Sequence, residues 1–160
     1  MITSLMAGAF LRRGDKVLMM KRSMAKKLNP GKWAPIGGKL EPGELNDPRL
    51  ACLREIAEET GIEANLISGF TLKRILVRHN HGDGLIYINY LFAGKLAQMP
   101  ELRECGEGTL HWVDFDSLPD YEMSFSIIEA VKRLVSNPDD RRVLLGAVGP
   151  ENDEVVWNEL

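Results

Sequence analysis

The chain has 160 residues, 44% apolar and 27% charged, the proportions of one soluble globular domain with a real core. A formal net charge of −3 gives no basis for broad electrostatic attachment to a nucleic-acid polymer or an anionic membrane. Its two cysteines, Cys52 and Cys105, lack metal-ligand spacing, which points to a reducing, cytoplasmic compartment.

The opening run, residues 1–10, is apolar, but its charges Arg12 and Arg13 follow it. It is therefore expected to be a first strand, not a secretory signal or a spanning helix. Residues 2–13 and 16–22 read as two strands split by the hairpin signal Gly14-Asp15. Residues 23–47 read as loop, punctuated by Asn29-Pro30-Gly31, Gly37-Gly38 and Glu41-Pro42-Gly43. A helix is expected over 48–60, with Asp47 as N-cap, Pro48 at the first position and Gly61 just past the end. Residues 65–78 and 84–98 read as long strands around the turn at Asn80–Gly84, and 109–115 as another. Ser124 or Ser126 caps a second helix running to about Val135, closed by Pro138. The tail, 141–160, reads as a hairpin around Gly149-Pro150. No repeat, low-complexity segment or linker divides the chain, so residues 1–160 are expected to form one domain.

The first helix carries an unusual charge distribution. At about 100° per residue, with Glu55 at zero, Glu58 falls near −60° and Glu59 near +40°. Leu50, Leu53, Ile56 and Ala57 fall on the opposite side, the expected core face. Like charges at these spacings cost roughly 0.2–0.5 kcal/mol per pair. Two of the three carboxylates also lie in the last turn, where the helix dipole opposes them. The natural compensator is a hard cation such as Mg²⁺ or Mn²⁺; a solvated acidic face is the plainer alternative.

The preceding loop, Ile36-Gly37-Gly38-Lys39-Leu40-Glu41-Pro42-Gly43-Glu44, favours the cation. Its glycines let backbone approach a metal or a phosphate closely. Lys39 can pair with a phosphate oxygen or a carboxylate, and Glu44 can join the acidic helix from outside it.

Gly38, Glu44 and the run Arg54-Glu55-Ile56-Ala57-Glu58-Glu59-Thr60-Gly61-Ile62 resemble the Nudix box, with every specified residue type present. Nine residues separate Glu44 from Arg54, two more than in the family's usual pattern, and the extra pair is expected in Asn46-Asp47-Pro48. The insertion leaves the helix register intact but unsettles the place of Glu44. The resemblance covers most of residues 1–135 and implies an α/β fold, a Nudix-type α/β/α sandwich with a mixed central sheet. It also implies roles: Glu55, Glu58 and Glu59 would bind divalent ions, Arg54 would orient the carboxylates, and the Gly37 carbonyl would be a further ligand. Arg22 matches a position that contacts phosphate; a solvated strand-end arginine is the competing reading. Members also use a glutamate outside the box. Of Glu101, Glu104 and Glu107, the run Glu107-Gly108-Thr109-Leu110-His111-Trp112 resembles the family best.

The implied activity is metal-dependent hydrolysis of a nucleoside triphosphate to a monophosphate and pyrophosphate. The arrangement from Gly31 to Trp112 looks like the branch of triphosphate diphosphatases that includes 8-oxo-dGTP cleaning enzymes, in which homodimers are common. The loop Ser117–Phe125 departs from that branch, lacking its tryptophan and paired aspartates. Tyr121, Met123 and Phe125 are either base-stacking or core residues. A nucleotide-sugar or dinucleotide hydrolase and a non-catalytic nucleotide sensor are the alternatives, and the intact glutamates argue against the sensor. Trp33, Trp112, Met19 and Met20 read as packing, and His79 and His81 as polar residues at a hairpin end.

Overall fold

The computed structural model describes residues 3–103 and 105–160. In chain order its elements are β1 (Thr3–Arg13), β2 (Lys16–Arg22), β3 (Trp33–Ala34), β4 (Ile36–Lys39), α1 (Pro48–Thr60), β5 (Ile67–His79), β6 (Ile86–Leu96), β7 (Gly108–Asp114), α2 (Phe125–Ser136), β8 (Leu144–Val148) and β9 (Val155–Glu159).

The strands form one mixed sheet with the order β3-β2-β1-β6-β5-β8-β9, with β4 beside β1 and β7 beside β2. β1 is the axis. One edge runs parallel to β6 from Thr3 to Arg12. The other pairs antiparallel with β4 over Met6–Ala9 and with β2 over Leu11–Arg13. β5 pairs antiparallel with β6 and parallel with β8, and β9 folds back antiparallel on β8.

Alternation along the strands feeds a core on each face. Phe10, Val17, Met19, Leu76 and Leu91 pack with Ile127, Ala130, Val131 and Leu134 of α2. Ala7, Ala9, Leu11, Leu18 and Met20 pack with Cys52 and Ile56 of α1. One helix therefore covers each face, the α/β/α arrangement the sequence implied.

Two expectations are corrected. The stretch read as loop, 23–47, contains β3 and β4. Two adjacent glycines look like a turn, yet here they are what allows a strand. A Cβ on Gly37 would stand 2.0 Å from the Ala7 carbonyl oxygen, so only glycine admits this closeness to β1. Second, Leu50 does not face the core: it is 53% exposed. The buried arc of α1 is instead Ala51, Cys52, Ile56, Glu59 and Thr60. The helix is rolled toward β4, which carries Glu59 inward.

Gly37→Ala is expected to destabilise the fold by about 1–3 kcal/mol, the usual cost of overpacking. Gly43→Ala, whose Cβ would meet nothing within 4 Å, is expected to stay within about 0.5 kcal/mol of the parent. Urea denaturation of both variants checks this; equal midpoints would contradict the close β1–β4 packing.

Candidate active site

Helix α1 is fixed at both ends. Asp47 accepts a hydrogen bond from the Leu50 amide at 3.0 Å. Gly61, at φ 78°, closes the other end and donates to the Ala57 carbonyl. Its register sets where each carboxylate stands. Glu59 is buried, Glu55 is half-buried and Glu58 is exposed.

Arg54 organises the group. Its Nε donates to Glu44 Oε1 at 2.6 Å and its Nη2 to Glu44 Oε2 at 3.0 Å, a bidentate pair. Nη1 donates to Glu55 at 2.9 Å and to Glu58 at 3.1 Å, and Nη2 also reaches the Lys39 carbonyl. Glu44 is held in turn by the Glu41 amide at 2.9 Å, in a single 3₁₀ turn over Pro42–Glu44. The long spacer before α1 is thus taken up by a turn at 45–46, and Glu44 still reaches Arg54.

The glycines of β4 meet the carboxylates directly. The Gly37 amide donates to Glu59 at 3.2 Å. A Cβ on Gly38 would stand 2.6 Å from the Glu55 carboxylate. Glu55, Glu58, Glu59 and Glu107 line one open cleft of about 840 Å³. Arg22, Lys26, Lys27 and Lys39 line the same cleft. Lys26 pairs with Glu107, and Arg22 is steadied by its Nε donating to the Leu28 carbonyl at 2.9 Å. Glu101 is exposed and not part of this lining. Glu104 lies outside the described residues.

The electrostatics follow from burial and from Arg54. Burial, with Glu55 and Glu107 close by, pushes the Glu59 carboxyl up to about 8 against the opposing Gly37 hydrogen bond. Burial also raises Glu55, opposed by Arg54. The Arg54 hydrogen bonds hold Glu44 below the ordinary range, and Glu44 keeps Arg54 firmly charged. These donors are hard oxygens with an excess of negative charge, which fits a divalent cation such as Mg²⁺ or Mn²⁺. Among the described residues no three acidic, histidine or cysteine side chains already stand at metal-holding spacing. Arg54 occupies that balancing position for Glu55 and Glu58.

A second, narrower cavity opens off the cleft and shares Met6, Arg22, Gly37 and Tyr87 with it. Its walls include Trp33, Leu76 and Ile127, and its polar groups include Asn89, Arg78 and Ser126. Sequence reading missed Asn89 and Arg78, because neither belongs to a motif and only strand pairing brings them here. Trp33 is wedged edge-on between Tyr121 and His111, with centroids 4.8 and 5.1 Å away. Met123 is a core residue. His79 and His81 contact each other at the β5–β6 turn, and His81 Nε2 lies 2.6 Å from the Pro150 carbonyl, away from the glutamates.

The NUDIX domain pattern matches residues 4–134. The chain belongs to the Nudix family. Solved structures agree in fold. A MutT protein from Bacillus halodurans is 22% identical, with a TM-score of 0.70 over 98% of this chain and 97% of its own. A MutT NUDIX hydrolase from Burkholderia pseudomallei is 26% identical, with a TM-score of 0.65 over 84% and 99%. An E. coli dihydroneopterin triphosphate pyrophosphohydrolase is 19% identical, with a TM-score of 0.66 over 86% and 99%. The chain is accordingly a Nudix pyrophosphohydrolase, an enzyme that cleaves diphosphate linkages in small molecules. No helix among its described residues is long and apolar enough to cross a membrane.

In this Nudix fold the Glu59 carboxyl holds its proton up to about 8, against an ordinary glutamate value of 4.5. Between those values the folded state binds more protons than the unfolded state, so metal-free stability falls as pH rises. The slope from one such group is at most about 1.4 kcal/mol per pH unit. Thermal melts at pH 5 and pH 8 are expected to show a larger loss for the parent than for Glu59→Gln. Identical pH dependence would contradict the buried placement of Glu59.

Proposed function

We propose that the protein is a Mg²⁺- or Mn²⁺-dependent hydrolase that cleaves a nucleoside triphosphate, intact or damaged, to a nucleoside monophosphate and pyrophosphate. The observation that carries this reading is one cleft in which four glutamates face Arg22, Lys26, Lys27 and Lys39. Carboxylates suit the cation; the basic side chains suit phosphate oxygens.

Glu55, Glu58 and Glu59, with Glu107 from the β7 side, would hold the divalent ion, and the Gly37 carbonyl is a further ligand in this reading. When bound, the ion neutralises charge on the diphosphate and makes water a better nucleophile. The chain's own residues then have distinct tasks. Arg22 and Lys39 bind phosphate oxygens, and the absence of a Cβ at Gly38 leaves room for the Glu55 carboxylate beside them. Arg54, anchored by Glu44, orients Glu55 and Glu58. One glutamate accepts the proton of the attacking water. Glu107 would leave Lys26 at modest cost, since a partly solvated ion pair is worth roughly 0–1 kcal/mol. The adjoining cavity, with its aromatic and apolar walls, has the character of a base pocket. The reading places the enzyme in the cytoplasm, working on free nucleotides and not on a nucleic-acid polymer or a membrane. A homodimer is the assembly it favours.

Glu58→Gln and Glu59→Gln are each expected to lower metal-dependent turnover by about 10²-fold or more with folding retained. Pyrophosphate release from a panel of nucleoside triphosphates, alongside thermal melts, checks this. Near-parental rates in both variants would overturn the site, and two monophosphates as products would shift the substrate to a dinucleotide or a nucleotide sugar.

A further inference from the structure

A separate open cavity of about 950 Å³ lies at the other end of the sheet from the acidic cleft. It shares no lining residue with the cleft or with the narrower cavity beside the cleft. Along β1, Met6 in the cleft wall and Arg12 in this one are six positions apart, about 20 Å of strand. The cavity opens where β5 breaks register with β6 twice, between Ser68 and Thr71 and between Leu72 and Arg74. Each break adds one residue to β5, and Gly69, at φ 60°, sits in the first. Leu134 and Pro138, at the end of α2, line one side, and Phe115 lines another.

The polar part of this lining is basic: Arg12, Lys73, Lys95 and Arg141 stand against one carboxylate, Asp139. Strand register sets Arg12 of β1 beside Lys95 of β6, and like charges facing each other across a ladder destabilise it. No ion pair among the described residues includes any of these four cations. Arg12 is nonetheless held in place. Its guanidinium carbon is 3.6 Å from the Phe115 ring centroid, and its Nη2 donates to the Gly14 carbonyl at 3.1 Å. Lys73, the extra residue of the second register break, donates to the Asp140 carbonyl at 3.1 Å. The Asp140 carboxylate is itself taken up by Arg142 at 2.6 Å. Next in sequence, Arg74 is buried, and among the described residues it donates only to backbone carbonyls and leaves its Nε without a partner. Positive charge thus collects at this end of a chain whose net charge is −3.

We propose that this cavity is a second, non-catalytic anion site that takes an oligophosphate, either an inorganic chain or the triphosphate tail of a nucleotide. Neighbouring strands lie about 4.8 Å apart, so cations on β1, β6 and β5 span about 10 Å. A single phosphate does not reach across that row, whereas a chain of phosphates does. Ammonium and guanidinium donors suit phosphate oxygens, and the volume is that of a small-ligand pocket. Phe115 and Leu134 add an apolar wall beside the cations, where a nucleoside has room to lie. One carboxylate among four cations leaves no need for a bridging metal ion, unlike the cleft. The inference requires neither the metal nor the reaction of the hydrolase reading, so the two stand or fall separately.

Titration of the full chain, stripped of divalent metal, with sodium tripolyphosphate tests this by amide NMR and calorimetry. The largest amide shifts are expected over residues 71–73 and 93–95 and at Arg141, not over 37–39 or 55–59. Lys95→Glu combined with Arg141→Glu is expected to weaken binding at least about tenfold, and Lys39→Ala, in the cleft, to change it less than about twofold. If the double variant melts early, Lys95→Gln alone is expected to weaken binding about threefold. A nucleoside triphosphate titrated in parallel distinguishes the sources. Tighter binding than tripolyphosphate places the nucleoside on the Phe115–Leu134 wall; equal binding assigns the site to the phosphate chain alone. No binding at about 1 mM tripolyphosphate, shifts confined to the cleft, or an affinity unchanged in the Lys95 variants would overturn the proposal. So would tighter binding of a hexaglutamate peptide, which would assign the cavity to an acidic protein segment. Metal-dependent triphosphate hydrolysis by the same preparation is read separately. Its absence on every nucleotide removes the hydrolase reading and leaves this one standing.

Discussion

The bidentate pair between Arg54 and Glu44 is the interaction on which the rest of the site depends. Three glutamates on a turn and a half of helix repel one another, and two of them stand at the helix end where the dipole also opposes them. Arg54 answers from within the same helix, with Nη1 shared between Glu55 and Glu58. An arginine doing this alone would be free to swing away. Glu44, buried and itself bonded to the Glu41 amide, fixes the guanidinium from the other side. The repulsion is partly offset, and Glu59 and Glu107 have no arginine hydrogen bond of their own among the described residues.

Packing extends that logic. Rolling α1 toward β4 buries Glu59 and exposes Leu50, the reverse of what an ordinary amphipathic helix does. The roll is possible because Gly37 and Gly38 carry no side chains between β1 and the helix. β1 sits at the middle of the sheet, bonded to β2, β4 and β6, so the glycine strand has a rigid backing. The acidic helix, the basic rim and the second cavity are therefore held by one framework. Farther out, Trp157 of β9 lies under Arg74 and Arg133, which joins the last strand to α2 and not to the site.

How much of this was readable follows from the range of each signal. Helix α1 was legible to the residue, because Asp47, Pro48 and Gly61 are local stop and start signals. The long strands and α2 were legible from periodicity. β4 was not: glycines leave no periodic trace, and its partner β1 is some thirty residues away in sequence. The α1 core face was legible only in part for the same reason: Ile56 and Leu53 pack as expected, but β4 decides which side is covered, so Cys52 is buried and the more apolar Leu50 is not. The motif showed that Glu44 belonged with the helix, but a two-residue insertion hid where it would lie until the turn at Pro42–Glu44 was seen. Asn89 and Arg78 carried no signal at all. Only strand register brings them to the cavity wall, and a linear reading does not contain it.

The central claim is that the α1 carboxylates, steadied by Arg54 and Glu44, form a divalent-cation site in the cleft below β4. Anomalous diffraction from crystals soaked in Mn²⁺ tests it most directly. The account predicts manganese peaks in that cleft, contacted by side chains from the set Glu55, Glu58, Glu59 and Glu107. Carboxylates splayed into solvent with no peak beside them, or manganese bound only elsewhere on the surface, would contradict it.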